Sequence, residues 1–145
     1  MIKDLVNRLI KKHHTNDPFE IANRKGIIIT FENLGNTLGY YNKYKRIKFI
    51  HINNLIDYPT KRFVCAHELG HALLHPNANT PFLKTNTFFC LSKIEKEANK
   101  FAVELIMPDE ALYDYKDTSL TIYEASEMYG IPVEVCHLKK VDEYQ

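Results

Sequence analysis

Two histidines and a glutamate carry the strongest chemical signal in the sequence. His67-Glu68-Leu69-Gly70-His71 sets two imidazoles four residues apart. On a helix, residues i and i+4 lie one above the other, so both rings can reach one metal ion. Zinc accepts imidazole nitrogen at about 2.0–2.1 Å and prefers a tetrahedral shell. Glu68 follows the first histidine and points to the side where an open coordination position would stand. There it can take a proton from an attacking water, as the general base of a metal-assisted hydrolysis. The surroundings favour this reading over a pair of packed core histidines. The flanking residues are apolar, and polar groups placed among them are costly unless something satisfies them. One divalent cation would satisfy all three.

A third protein ligand must come from elsewhere. The pattern HExxHxxGxxH would need a histidine at 77, where the sequence has Asn77. His75 is eight residues from His67, about 12 Å along a helix axis, too far to share a metal. It is expected instead to bond free carbonyls at the helix C-terminus. Downstream, residues 92–106 offer Glu95, Glu97 and Glu104. Glu95 shares its helix face with Ala98, Asn99 and Ala102, whose small size allows close packing on the HExxH helix. Glu97 and Glu104 lie on another face, next to Lys100. Glu95 is therefore the first candidate and Glu97 the second. Asn99, one turn beyond Glu95, is placed to orient a histidine ligand from behind. Gly70 costs up to ~1 kcal/mol relative to alanine inside a helix, which predicts a backbone or a substrate passing close to it.

The elements that must hold these residues are legible in the patterning. Ile2, Leu5, Val6, Leu9 and Ile10 predict an amphipathic helix over residues 2–13. Asp17 and Pro18 read as the N-cap and first position of a short second helix. Ile27 to Phe31 is β-branched and aromatic, hence a strand. Thr37 to Tyr44 and Arg46 to Ile52 read as two more, and the simplest arrangement is an antiparallel meander. A helix from Tyr58 to about His75 is apolar nearly all round and should be central, with Pro76 stopping it. A loop over 76–92, a helix from Ser92 to Ile106, a short helix from Asp109 and a two-piece tail split at Gly130-Ile131-Pro132 follow. The expected fold class is α+β: a small antiparallel β-sheet packed on a helical body carrying the HExxH helix, zincin-like. Residues 1–145 are expected to form one domain, with 1–58 the N-terminal helix and sheet, 59–108 the metal-binding helices and 109–145 a helical tail.

Composition narrows the class further. The 145 residues are 45% hydrophobic and 26% charged, ordinary for a globular protein. No stretch approaches the ~20 apolar residues that span a bilayer, and the N-terminus lacks the apolar block of a secretory signal. A cytoplasmic protein is expected, without membrane contact, and with Cys65, Cys90 and Cys136 as reduced thiols. Residues 1–92 hold 13 Lys/Arg against 6 Asp/Glu, and residues 93–145 hold 6 against 12. An acidic C-terminal third suits a basic partner protein. Although the tail resembles half of a helix-turn-helix, Glu124, Glu127 and Glu134 argue against direct nucleic-acid contact. His13, His14, His51 and His137 lack partner spacing and read as surface or packing residues. Tyr40 and Tyr41 sit on a strand that could hold a substrate chain or equally pack in the sheet.

The run from His67 to His75, followed by Glu95-Lys96-Glu97-Ala98-Asn99-Lys100-Phe101-Ala102-Val103-Glu104-Leu105-Ile106-Met107-Pro108, resembles the ImmA/IrrE family of metallopeptidases. The resemblance covers most of the chain, including the segment from Asp17 to Ala22. Ile106 stands where the family usually has leucine, and no room is left for the extra C-terminal domain of some members. The resemblance implies a gluzincin-like site with two histidines and a glutamate on the metal. It also implies cleavage of a helix-turn-helix transcriptional repressor in phage, mobile-element or stress regulation. The expected function is a zinc endopeptidase with one Zn2+ per chain on His67, His71 and Glu95, and with Glu68 as catalytic base. Manganese or iron would also suit the donors. The alternative is a metal-containing regulatory module that binds a repressor without cutting it.

Overall fold

The computed structural model describes residues 1–85, 88, 92–113 and 115–141. Among the described residues, six α-helices and three strands run in the order α1 (Ile2–His13), α2 (Pro18–Arg24), β1 (Ile28–Glu32), β2 (Gly39–Tyr44), β3 (Ile47–Asn53), α3 (Tyr58–Leu74), α4 (Lys93–Ile106), α5 (Asp109–Tyr113) and α6 (Ile122–Met128). A 3-10 turn over Val133–Leu138 closes the tail. The fold is α+β, and the helix starts follow local chemistry. Asp17 accepts a hydrogen bond from the Phe19 amide ahead of Pro18, and Asp57 accepts one from Thr60. Ser92 caps α4 through the Glu95 amide. Each cap satisfies an amide that the helix cannot.

The sheet differs from the meander expected. Its order is β1-β3-β2, with β3 in the middle. β2 and β3 form the antiparallel hairpin, but β1 runs parallel to β3, so the sheet is mixed. Burial explains the placement. Ile50, Ile52 and Asn53 of β3 are buried, while the second half of β2, from Asn42 to Tyr44, is exposed. The most buried strand takes the position flanked on both edges. The chain then has to pass from β1 over the end of β3 to reach β2. Asn53 holds that passage, donating from Nδ2 to the carbonyls of Gly35 and Thr37 at 3.0 and 2.9 Å.

One face of the sheet lies on α3. Gly39 pairs with Ile52 and Tyr41 with Ile50 across β2 and β3, and all four are buried. A Cβ at position 39 would stand 2.5 Å from Val64 Cγ1 and 2.7 Å from the His51 carbonyl oxygen; only glycine lets β2 approach this closely. The other face carries Tyr40, whose ring stacks on His51 at 4.2 Å and meets Phe82 at 4.7 Å. Tyr40 is thus a sheet-packing residue on the side away from α3. On the α3 side, Lys48 reaches past the hairpin and donates to the Ala72 carbonyl at 2.8 Å. A cation at a helix C-terminus is favourable, and here Lys48 fills the place expected of His75.

α3 is the central element. Phe63, Val64, Cys65, Ala66, Leu69 and Ala72 are all inaccessible. α4 crosses it closely at Gly70, where an added Cβ would meet Phe101 atoms at 3.1–3.2 Å. The nearest atoms to such a Cβ belong to an aromatic side chain rather than to a backbone. Cys65 and Cys136 are buried free thiols, and Cys90 lies outside the described residues. Among the described residues no helix is long and apolar enough to cross a membrane.

Candidate metal centre

α3 presents His67 and His71 one turn apart, and α4 brings Glu95 against them from its own first turn. His67 Nε2 stands 3.1 Å from Glu95 Oε1, and His71 Nε2 stands 2.9 Å from Glu95 Oε2. One ligand atom from each of the three residues lies within 4.8 Å of the other two. All three side chains are buried, as is Glu68. Glu97 is not in this group. It lies on the flank of α4, 2.8 Å from His75 Nε2. His75 ends α3 as its C-cap, and its side chain turns to His71 and Glu97 rather than to the helix carbonyls.

The hydrogen bonds around the histidines say what these atoms can bind. Asn99 Oδ1 lies 2.8 Å from His67 Nδ1. An amide oxygen only accepts, so Nδ1 carries the proton and a neutral ring has its lone pair on Nε2. That lone pair faces a carboxylate oxygen, which is also an acceptor. At 3.1 Å the two atoms are compatible only with a proton or a metal cation between them. At His71 the mismatch is plainer: Nε2 and Glu95 Oε2 are close but make no hydrogen bond. The donor set, two imidazole nitrogens and a carboxylate, suits a divalent metal ion, and the residues present fit one.

The carboxylates are split by environment. Burial tends to raise the pKa of Glu95, but the His67 and His71 imidazoles against it outweigh that and hold the carboxyl at about 2. Burial pushes Glu68 up to about 8; His71 opposes this and the Glu95 charge adds to it. Both Glu68 oxygens are buried without a hydrogen-bond partner. A cation among His67, His71 and Glu95 would supply the charge that this carboxylate lacks. A carboxylate that makes no fixed hydrogen bond, beside three inward-facing ligand atoms, is free to accept a proton from a water molecule.

Sequence reasoning missed two clusters here. His75 is four residues from His71, the same spacing that pairs His67 with His71, so its contact was readable. The second lies at the other end of α4. Lys139 Nζ, from the tail, is buried at 2.7 Å from both Glu104 Oε1 and Asp109 Oδ1. Lys3 of α1 reaches Asp109 at 2.9 Å. Glu95, Glu104 and Asp109 are therefore interior, and the acidity of the C-terminal third is only partly a surface property. Glu110, Asp117, Glu124 and Glu127 are exposed, and Glu134 is half-buried.

With this geometry in place, the comparisons with known proteins are specific. The family model described as the IrrE N-terminal-like domain, Peptidase_M78, matches residues 22–139. "Uncharacterized immunity region protein 2" of Bacillus phage phi105 is 46% identical over 144 residues, covering 99% of this chain and 91% of that protein. "Metallopeptidase ImmA" of Bacillus subtilis (strain 168) is 38% identical over 113 residues, 77% of this chain and 66% of that protein. The family match spans the HExxH helix, the helix carrying Glu95 and the sheet before them, and so the chain belongs to the ImmA/IrrE family of metallopeptidases.

Proposed function

We propose that this protein is a cytoplasmic zinc endopeptidase that cuts a helix-turn-helix transcriptional repressor. The observation that carries the chemistry is the convergence of His67, His71 and Glu95 beside an unpartnered, buried Glu68. In this reading His67, His71 and Glu95 hold one zinc ion, and Asn99 fixes the His67 ring. When bound, the ion supplies a Lewis acid for the scissile carbonyl and lowers the pKa of an attacking water. Glu68 accepts the proton of that water as it attacks the carbonyl carbon. It then returns the proton to the nitrogen of the departing amine, so the carboxylate is regenerated and a peptide bond is exchanged for an acid and an amine. The buried setting serves both halves, because a carboxylate held by no fixed hydrogen bond can take and return a proton.

The substrate assignment has separate support. One relative is named for a phage immunity region and another is named a metallopeptidase, and the family resemblance implies repressor cleavage. A DNA-binding repressor presents a basic face, which suits the exposed carboxylates of the C-terminal third. The test is to incubate the zinc-loaded protein with the purified product of a neighbouring helix-turn-helix repressor gene. Cleavage at one site by the parent is expected, with Glu68→Gln binding zinc equally and cutting at least ~10²-fold more slowly. Appreciable cutting by Glu68→Gln would overturn the mechanism. Repressor binding without cutting by either form would make the protein a regulatory module.

A further inference from the structure

Each histidine of the centre has a second ring nitrogen, and the two are backed differently. His67 Nδ1 meets the neutral amide of Asn99. His71 Nδ1 lies 3.1 Å from His75 Nδ1, and His75 Nε2 lies 2.8 Å from Glu97 Oε1. The rings of His71 and His75 are 5.2 Å apart and tilted at 56°. His75 is 9% exposed and Glu97 34%, so this row runs from the buried centre to the surface.

With a neutral His75, one arrangement of protons satisfies every atom in the row. The Glu97 carboxylate only accepts, so His75 Nε2–H donates to it. A neutral His75 then has its lone pair on Nδ1, which accepts from His71 Nδ1–H. His71 is left with a bare Nε2 aimed at Glu95 and the candidate metal position. Reversing the row needs a doubly protonated His75 and puts the His71 proton on Nε2, toward Glu95 Oε2, where it would exclude a metal. The row therefore selects the tautomer of His71 that can ligate, and the charge of Glu97 strengthens it through His75.

We propose that His75 and Glu97 are positioning residues for His71: a Glu97–His75–His71 hydrogen-bonded row that fixes the ligating tautomer and ring orientation of the second metal-binding histidine. The proposal rests on the reading of His71 as a ligand. It gives Glu97 a role behind the metal shell, and it explains why a third histidine follows the HExxH run at helical spacing without itself reaching the metal. Asn99 and the His75–Glu97 pair are then two unlike solutions to one problem.

The experiment is a double-variant cycle read by zinc affinity, measured by competition with a chromophoric chelator. The same proteins loaded with Co2+ report ligand geometry in their visible spectra. His75→Ala is expected to weaken zinc by about 10–100-fold, the usual cost of losing the partner behind a histidine ligand, and to change the Co2+ spectrum. Glu97→Ala is expected to weaken it less, and Glu97→Gln, which keeps an acceptor for His75 Nε2–H, less again. His75→Ala with Glu97→Ala should match His75→Ala alone, because Glu97 acts only through His75. Affinity within two-fold of the parent for His75→Ala, or multiplied losses in the double variant, would overturn the row. If His75→Ala does not fold, Glu97→Ala, at a partly exposed position, decides by itself: parent affinity refutes. Failure of the metal reading is separable, since then His67→Ala with His71→Ala would leave zinc binding by the parent site unchanged.

Discussion

α4 carries a buried carboxylate at each end, and the two ends have opposite electrostatics. Near its start, Glu95 faces two imidazole nitrogens, and the nearby Glu68 carboxylate has no hydrogen-bond partner among the described residues. Near its end, Glu104 and the following Asp109 close on the ammonium of Lys139, and Lys100 and the Lys140 amide also reach Glu104. The second cluster contains its own cation. The first has no permanent cation, and only a protonated imidazole or a metal ion would balance it. Burial and acidity are the same at both ends, so neither marks a functional site. What distinguishes the candidate metal centre is imbalance: ligand atoms converging on a point where, among the described residues, no lysine or arginine is seen to pair with them.

The sharpest way to break the comparison is to remove the converging ligands. His67→Ala with His71→Ala is expected to take bound zinc from one per chain to none, by elemental analysis after reloading, while Lys139→Met keeps one. Equal metal content in the two variants would mean the imbalance at Glu95 has no bearing on metal binding.

Stability should respond in the opposite sense. Lys139→Met removes the buried ammonium shared by Glu104 and Asp109, leaving them only Lys100, Lys3 and the Lys140 amide, and should cost about 3 kcal/mol in denaturant unfolding, the lower end for a broken buried pair. Replacing Glu104, Asp109 and Lys139 together by apolar residues of similar size should recover most of that loss. If the single change costs no more than a surface pair, under ~1 kcal/mol, the cluster is solvated and the contrast with Glu95 weakens.

Glu95→Ala should weaken zinc binding far more than Glu97→Ala, since only Glu95 stands among the histidine nitrogens. A zinc titration of both variants decides it, and the reverse order would mean that the approach of α4 to α3 differs from the one described. A smaller effect is expected at the crossing point. Gly70→Ala gains up to ~1 kcal/mol of helix propensity but presses on the fully buried Phe101. Overpacking of that kind costs about 1–3 kcal/mol. A net loss on the order of 1 kcal/mol in thermal unfolding is expected, and a gain would show that Phe101 gives way.

The smallest effect uses an exposed carboxylate as the reference for both clusters. Hydrogen bonds with Thr60 lower the pKa of the Asp57 cap from 3.8, with burial opposing weakly and Lys61 assisting. A lowered folded-state pKa means the cap's contribution is complete above the unfolded value and is lost as pH falls through the folded one. Asp57→Asn keeps an acceptor and should flatten that part of the stability profile below about pH 4. An unchanged acid limb would mean that the cap is not formed in solution.

Much of this protein was written locally. The HExxH spacing, the Asp17–Pro18 helix start, the Ser92 cap and the tail break at Gly130 are all short-range features. The forces behind them act within one turn, so the sequence carries them openly. The facing of Glu95 was also legible, because Ala98, Asn99 and Ala102 mark the side of α4 that can approach another helix. The sheet order was not, because strand pairing is decided by which strand is most buried once α3 is present, and neighbours in sequence need not pair. The role of Gly70 depended on Phe101, and that of Lys48 on where the hairpin lies against α3. The Lys139 cluster joins residues thirty and more apart, and no local pattern records such a contact. Sequence alone determined which atoms could bind a metal, since ligand chemistry resides in residue type and helical period. Only the tertiary structure decided which carboxylates remain short of a cation, because charge balance is a property of everything that packs around them.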